Sequence, residues 1–202
     1  MTLSPGVWLV DEVINFYMSI LNDIHWKNPN YIGNGRRPYA LKSYFITLLC
    51  ANGVYNFSRV QSWSFPLFNF SAYSCILCPL NINNVHWALM YADFEMHTIY
   101  YLDSMLGTDA TRWMMCFRQY LIDIHVMLYG TDNIPQWSLE CLQNCAQQPN
   151  SYDCGVYTCM FAYCIMTGQS IPRNFTALYT ARRVIAESIK NSQVLNLTNT
   201  NV

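Results

Sequence analysis

The chain has 202 residues, a formal net charge of −1, 52% hydrophobic residues and only 11% charged ones. That length suits a single domain burying about 70% of the surface its unfolded chain exposes, with no need of disulfides or metals as staples, and the composition excludes disorder. The only adjacent basic residues, Arg36-Arg37 and Arg182-Arg183, are isolated pairs, so no nucleic-acid ligand is expected for want of an electrostatic footprint.

From the N-terminus, residues 8–21 carry Trp8, Val13, Ile14, Phe16, Tyr17, Ile20 and Leu21 at helical spacings. They predict an amphipathic helix with Asp11 and Glu12 near its positive end. Residues 31–38 (YIGNGRRP) read as loop, and residues 39–51 as a second helix that stops before Asn52-Gly53. Segments 74–80, 87–91 and 98–102 are short and rich in β-branched, aromatic and apolar residues, which predicts strands. Residues 112–129 return to helical periodicity. Residues 154–166 (CGVYTCMFAYCIM) are apolar throughout and follow Asn150, Ser151 and Asp153, residue types that cap helix starts. Helices first, strands in the middle and helices after predict an α+β layer fold with helices covering a central sheet. No repeat or linker divides the chain, so one domain is expected over 1–190, with 191–202 a frayed tail.

Nine cysteines form no regular framework, and the chain does not start with a charged segment followed by an apolar one. A reduced, intracellular protein is expected, nuclear or cytoplasmic. Sequons at Asn56, Asn69, Asn174 and Asn196 arise by chance in so Asn-rich a chain. No apolar run reaches the roughly 20 residues of a membrane span, so no membrane is expected. Cys75-x2-Cys78 falls on a predicted strand and Cys141-x3-Cys145 lacks a second ligand pair, so neither a metal nor a cofactor is expected.

The candidate chemistry is that of a thiol. Cys154 lies in QQPNSYDCGV, with His86-Trp87 and Asp103-Ser104 upstream. A cysteine attacks as thiolate, which a neighbouring imidazole and a helix N-terminus both favour. If the two strands before and after residues 94–95 form a hairpin centred there, directly opposed residues sum to 189, as His86 and Asp103 do. Opposed side chains share a face, so the carboxylate can orient the imidazole. Gly155 leaves room for a substrate backbone. Gln148 can set its NH2 beside the Cys154 backbone N–H as an oxyanion donor, and losing such a donor costs about 10²- to 10³-fold in kcat. Taken singly, each residue has a plainer explanation: a buried apolar thiol, a strand end, a loop. His25, His97 and His125 read as surface or satisfied polar groups, and Cys159 and Cys164 as packing. The joint supply of nucleophile, base, orienter and oxyanion donor is what points to an active site.

These residues resemble the ubiquitin-like-protein-specific cysteine proteases, the Ulp/sentrin-protease family. Trp8-Leu9-x-Asp11-Glu12-Val13-Ile14-Asn15-Phe16-Tyr17-Met18 resembles its opening motif, His86-Trp87-x-Leu89 its histidine strand, Tyr101-Leu102-Asp103-Ser104 its aspartate strand and Gln148-x5-Cys154-Gly155 its nucleophile turn. The likeness spans residues 5–189, and the order His, Asp, Cys differs from that of ordinary papain-like enzymes. It implies a papain-like, adenovirus-protease-like fold with a mixed or antiparallel sheet. It also implies catalytic Cys154, His86 and Asp103, Gln148 in the oxyanion hole, Trp8 and Trp87 flanking a narrow channel for a Gly-Gly tail, and Asp11 touching the folded modifier. The implied partner is SUMO or a related ubiquitin-like modifier with its conjugates, acted on by a monomer. Val10 replaces the family's usual polar residue, and relatives usually carry an N-terminal strand and a long extension before Trp8. The low charge is also unusual where recognition leans on charge complementarity. Three other functions stay open: a viral-type maturation protease cutting inside extended sites, a non-catalytic modifier-binding module, and an acetyltransferase with the same triad, for which no basic cofactor pocket is visible.

Overall fold

The computed structural model describes residues 3–27, 36–63, 72–105, 107–175 and 178–196. Its elements run α1 (Asp11–Lys27), β1 (Arg37–Ala40), α2 (Tyr44–Leu49), β2 (Tyr73–Ile82), β3 (His86–Asp93), β4 (Thr98–Leu102), α3 (Thr111–Tyr129), β5 (Ser138–Cys141), α4 (Cys154–Met166) and α5 (Leu178–Asn191). The strands lie side by side in chain order as one five-stranded sheet. β2, β3 and β4 are antiparallel, while the edges β1 and β5 run parallel to their neighbours, so the sheet is mixed.

The pleat sorts side chains to two cores. Leu77, Trp87, Leu89 and Leu102 face α1, α4 and α5, meeting Ile14, Tyr17, Met18, Leu21, Phe161 and Ile185. Ile76, Cys78, Leu80, Ala88, Met90 and Ile99 face α2 and α3, meeting Phe45, Ile46, Phe117, Tyr120 and Leu121. The spacing of Ile14, Tyr17, Met18 and Leu21 gives α1 one buried stripe, as an amphipathic helix requires. α4 is different: Ile165 is its only residue not buried. A helix apolar all round belongs inside, and α4 packs between the sheet and the pair α1 and α5. Cys159 and Cys164 are buried among these contacts.

The first helix begins at Asp11 rather than Trp8, since residues 8–10 lie outside it with Leu9 in the core, and it extends to Lys27. The helix expected over 39–51 does not form as such. Tyr39 and Ala40 join the ladder opposite Ile76 and Leu77. The Asn22 side chain on α1 then accepts from the Ala40 N–H at 2.8 Å and donates to its carbonyl at 2.9 Å. That amide stands in for a further strand and covers the sheet edge, leaving only Tyr44–Leu49 as helix. Residues 31–35 of the expected loop lie outside the described residues. The β3–β4 hairpin also differs in register: Leu89 faces Leu102 and Asp93 faces Thr98, so opposed residues sum to 191 rather than 189. The Asp93 carboxylate accepts from the Glu95 and Met96 N–H groups, and His97 takes φ 47°. The turn is therefore built by a side chain one residue later than the sequence suggested.

Residues 191–196, expected to fray, are tied down. The Leu195 N–H donates to Ser188 Oγ, the Gln193 N–H to the Ser188 carbonyl and the Tyr163 hydroxyl to Asn196 Oδ1, while Val194 and Leu195 pack on the core. Residues 197–202 lie outside the described residues. No helix among the described residues is long and apolar enough to cross a membrane.

Candidate active site

His86 opens β3 directly after the turn Asn83-Asn84-Val85, where Asn83 and Asn84 adopt φ 53° and 60°. Asn tolerates this left-handed region better than most residues, which lets a short turn deliver the histidine. A register displaced by two residues preserves facing, so His86 and Asp103 meet as diagonal neighbours rather than opposed ones. Their Nε2 and Oδ1 atoms are 2.6 Å apart, with both residues buried. Asp103 Oδ1 also accepts from the Met105 N–H and Oδ2 from the Tyr101 hydroxyl, each at 2.8 Å. Burial works against the Asp103 charge, yet the His86, Met105 and Tyr101 donors outweigh it and hold the carboxyl below its usual range. Burial alone would likewise lower the His86 pKa, but its hydrogen bonds and charge interactions with Asp103 and Cys154 raise it to about 9. With Nε2 on the carboxylate, the ring's other nitrogen is left for the Cys154 thiol.

Cys154 is the first residue of α4 and 2% exposed. Asp153 holds the N-cap position, but its carboxylate does not cap the helix. It goes instead to Arg182, whose Nε and Nη2 reach Oδ1 at 2.7 and 2.6 Å, and to Asn150 Nδ2, which reaches Oδ2 at 2.7 Å. Arg182 also donates to the carbonyls of Ser4 and Tyr152, both at 3.1 Å. Asn150 Oδ1 accepts from the N–H groups of Tyr152 and Asp153 and so shapes the turn before the cysteine. Gln148 is held from two sides: Ser104 Oγ donates to its Oε1 and its Nε2 donates to the Asn150 carbonyl, both at 2.6 Å.

Trp8 is 46% exposed, and its indole N–H donates to the Ser151 carbonyl at 3.1 Å. Trp87 is 4% exposed and donates to the Leu9 carbonyl at 2.9 Å. Of the two, Trp8 is exposed and tied to the nucleophile turn, whereas Trp87 is buried in the core against Leu9 and Gly155. Asp11, exposed at the start of α1, accepts from Ser43 Oγ at 2.7 Å. Gly155 does not open space for a substrate. A Cβ there would lie 2.9 Å from Leu9 Cβ and 3.2 Å from Trp87 Cδ1, so the glycine lets α4 pack against these two residues. His97 lies edge-on to Trp137, at the far end of the β3–β4 hairpin, and His125 lies beside Tyr129. The side chain of His25 lies outside the described residues.

Tyr101, Ser104 and Arg182 are supports that no local pattern in the sequence marked as such, and Asn150, expected only as a helix-capping residue type, shapes the turn before Cys154. Ser104 and Tyr101 stand within the strand motif and invited attention. Arg182 stands in the sequence only as half of an isolated basic pair, although a cation on the buried stripe of a helix calls for an internal anion.

Residues 7–195 match the Ulp1 protease family, C-terminal catalytic domain. The chain belongs to this family. It is 32% identical over 163 residues to Ubiquitin-like-specific protease 1 of Saccharomyces cerevisiae, covering 79% of this chain and 23% of that protein. It is 30% identical over 197 residues to Sentrin-specific protease 2 of Rattus norvegicus, covering 96% of this chain and 32% of that one. The chain therefore spans about a quarter to a third of the length of these relatives. Among solved structures it is similar to the C-terminal Ulp1 protease domain in complex with Smt3, the yeast ortholog of SUMO. The TM-score is 0.76 at 28% identity, over 95% of this chain and 80% of that one. The mixed sheet with helices on both faces is thus the Ulp1 catalytic fold, as the sequence motifs implied.

Proposed function

We propose that this Ulp1-family chain is a thiol isopeptidase and C-terminal hydrolase that cleaves after the Gly-Gly end of SUMO or a related ubiquitin-like modifier. The observation that carries it is the placement of one imidazole between a carboxylate, at 2.6 Å, and a thiol at a helix N-terminus. Cys154 Sγ attacks the terminal Gly carbonyl as thiolate. The imidazolium of His86 then protonates the departing lysine amine as the C–N bond breaks, leaving a thioester. His86, now neutral, takes a proton from water as the water attacks the thioester, and the thiolate leaves with the glycine carboxylate released. Asp103 holds the ring in the required orientation throughout.

Gln148 supplies a hydrogen bond to the oxyanion. Trp8 and Trp87 flank the approach, since a tail without side chains offers only backbone and flat surface for indoles to cover. Asp11, with one oxygen on Ser43, keeps an exposed face for the folded modifier. The chain works as a monomer in a reducing compartment, nuclear or cytoplasmic, where its nine thiols stay free.

Covalent capture by electrophilic C-terminal probes built on SUMO, a NEDD8-like modifier and ubiquitin tests this, comparing wild type with Cys154→Ala. A Cys154-dependent adduct with one probe is expected and names the modifier. A folded protein that forms none overturns the assignment and points to a binding module, or to a maturation protease that a peptide library would reveal.

A further inference from the structure

Ser104 is 1% exposed, and the chemistry above leaves its hydroxyl without a task. Both its polar oxygens are committed to one residue. Its carbonyl accepts from the Gln148 N–H at 2.9 Å, and its Oγ donates to Gln148 Oε1 at 2.6 Å. On the opposite side of that carboxamide, Nε2 donates to the Asn150 carbonyl at 2.6 Å. A backbone carbonyl only accepts, so the NH2 group must face Asn150 and the amide oxygen must face Ser104. The hydroxyl is then obliged to donate. An NH2 group has two hydrogens, Asn150 engages one, and the second remains for a ligand. Turned over, the same amide would present a partly negative oxygen where negative charge has to develop.

We propose that Ser104 is a positioning residue for oxyanion stabilisation, its Oγ–H locking the Gln148 carboxamide so that the second Nε2 hydrogen stays aimed at the scissile carbonyl oxygen. This rests on the function proposed above and adds a residue to it. The terminal torsion of a glutamine is broad and soft, so an amide held on one side only spends part of its time misaligned. Oxyanion donors act through preorganisation, and misalignment is felt in the rate of the chemical step rather than in substrate binding. Ser104 also follows Asp103 directly, so the residue that orients the base and the residue that orients the oxyanion donor share one stretch of backbone.

A double-mutant cycle on Ser104→Ala and Gln148→Ala tests this, using a modifier with a fluorogenic C-terminal amide and, as a second readout, alkylation of Cys154 by iodoacetamide. Ser104→Ala should lower kcat about tenfold, a fraction of the 10²- to 10³-fold for losing an oxyanion donor outright, with KM within about twofold. Alkylation forms no oxyanion, so its rate should not change. In the Gln148→Ala background, Ser104→Ala should cost nothing further, since residues acting as one unit are non-additive. Equal losses in both backgrounds, or alkylation slowed in step with kcat, assign Ser104 to packing and overturn the inference. If Ser104→Ala does not fold, Ser104→Thr and Ser104→Val supply matched side chains with and without a hydroxyl, and equal kcat for these two overturns it as well. A folded wild type inactive on every modifier overturns the proposed function and this inference together, whereas an active wild type with an additive cycle overturns the inference alone.

Discussion

His86 opens β3 and Asp103 directly follows the adjoining β4, whereas Gln148 and Cys154 reach the site from a segment that belongs to no sheet. The first pair is separated by 17 residues and fixed by a backbone ladder. The second is fixed by one backbone bond, from Gln148 to the Ser104 carbonyl, and by side chains from distant parts of the chain: Ser104 at a separation of 44 residues and Arg182, acting through Asp153, at 29. A ladder preserves facing, so even a two-residue change of register leaves the base and its orienter in contact. The loop has no ladder to preserve facing, so Gln148 and Asp153 depend on the hydrogen bonds of their own side chains.

Breaking the strand half should cost rate. Asp103→Asn is expected to lower kcat by about 10³- to 10⁴-fold through a mis-oriented imidazole. The pH dependence sharpens this. His86 sits at about 9, above its ordinary 6.5, so the stability it contributes is complete below 6.5 and is lost as pH rises through 9. Activity that depends on the imidazolium should fall on the same limb in a kcat/KM profile, and Asp103→Asn should move that limb downwards. A limb unmoved by the substitution would mean that the carboxylate does not set the His86 pKa.

Breaking the loop half should cost stability as well as rate. Arg182→Met leaves the Asp153 carboxylate buried without its cation, and about 3–5 kcal/mol of unfolding free energy should disappear in denaturant titration. Adding Asp153→Asn should restore part of that loss. Gly155→Ala forces a methyl against Leu9 and should cost about 1–3 kcal/mol, measured the same way. Arg183, next to Arg182 but exposed and 3.9 Å from Glu187, is the control, and Arg183→Ala should cost no more than about 0.5 kcal/mol.

How far the sequence disclosed the molecule follows the same division. The bounds of α4 and β4 were legible to the residue, because an unbroken apolar run after capping residue types and a compact β-branched and aromatic segment are strong local signals. The edge strands β1 and β5 were not legible. Each has four residues, and β5 reads Ser-Leu-Glu-Cys with no fully buried position, so neither carries the alternation that marks a strand. The residues proposed for catalysis stood out as motifs. Their supports did not, since the pairings of Ser104 with Gln148 and of Arg182 with Asp153 are tertiary facts that no local pattern encodes. The expected capping role of Asp153 failed for this reason: a carboxylate that sequence assigned to its own helix was claimed by an arginine on another.

Arg182 has one more consequence, in the order of assembly. Its guanidinium joins the Ser4 carbonyl, 178 positions away, to the residue beside the nucleophile. A contact across 178 positions closes a long loop, so it forms only once the intervening structure has brought the two segments together. The turn before Cys154 has local ties through Asn150, but its tie to the N-terminal segment closes only after α5 and that segment have met.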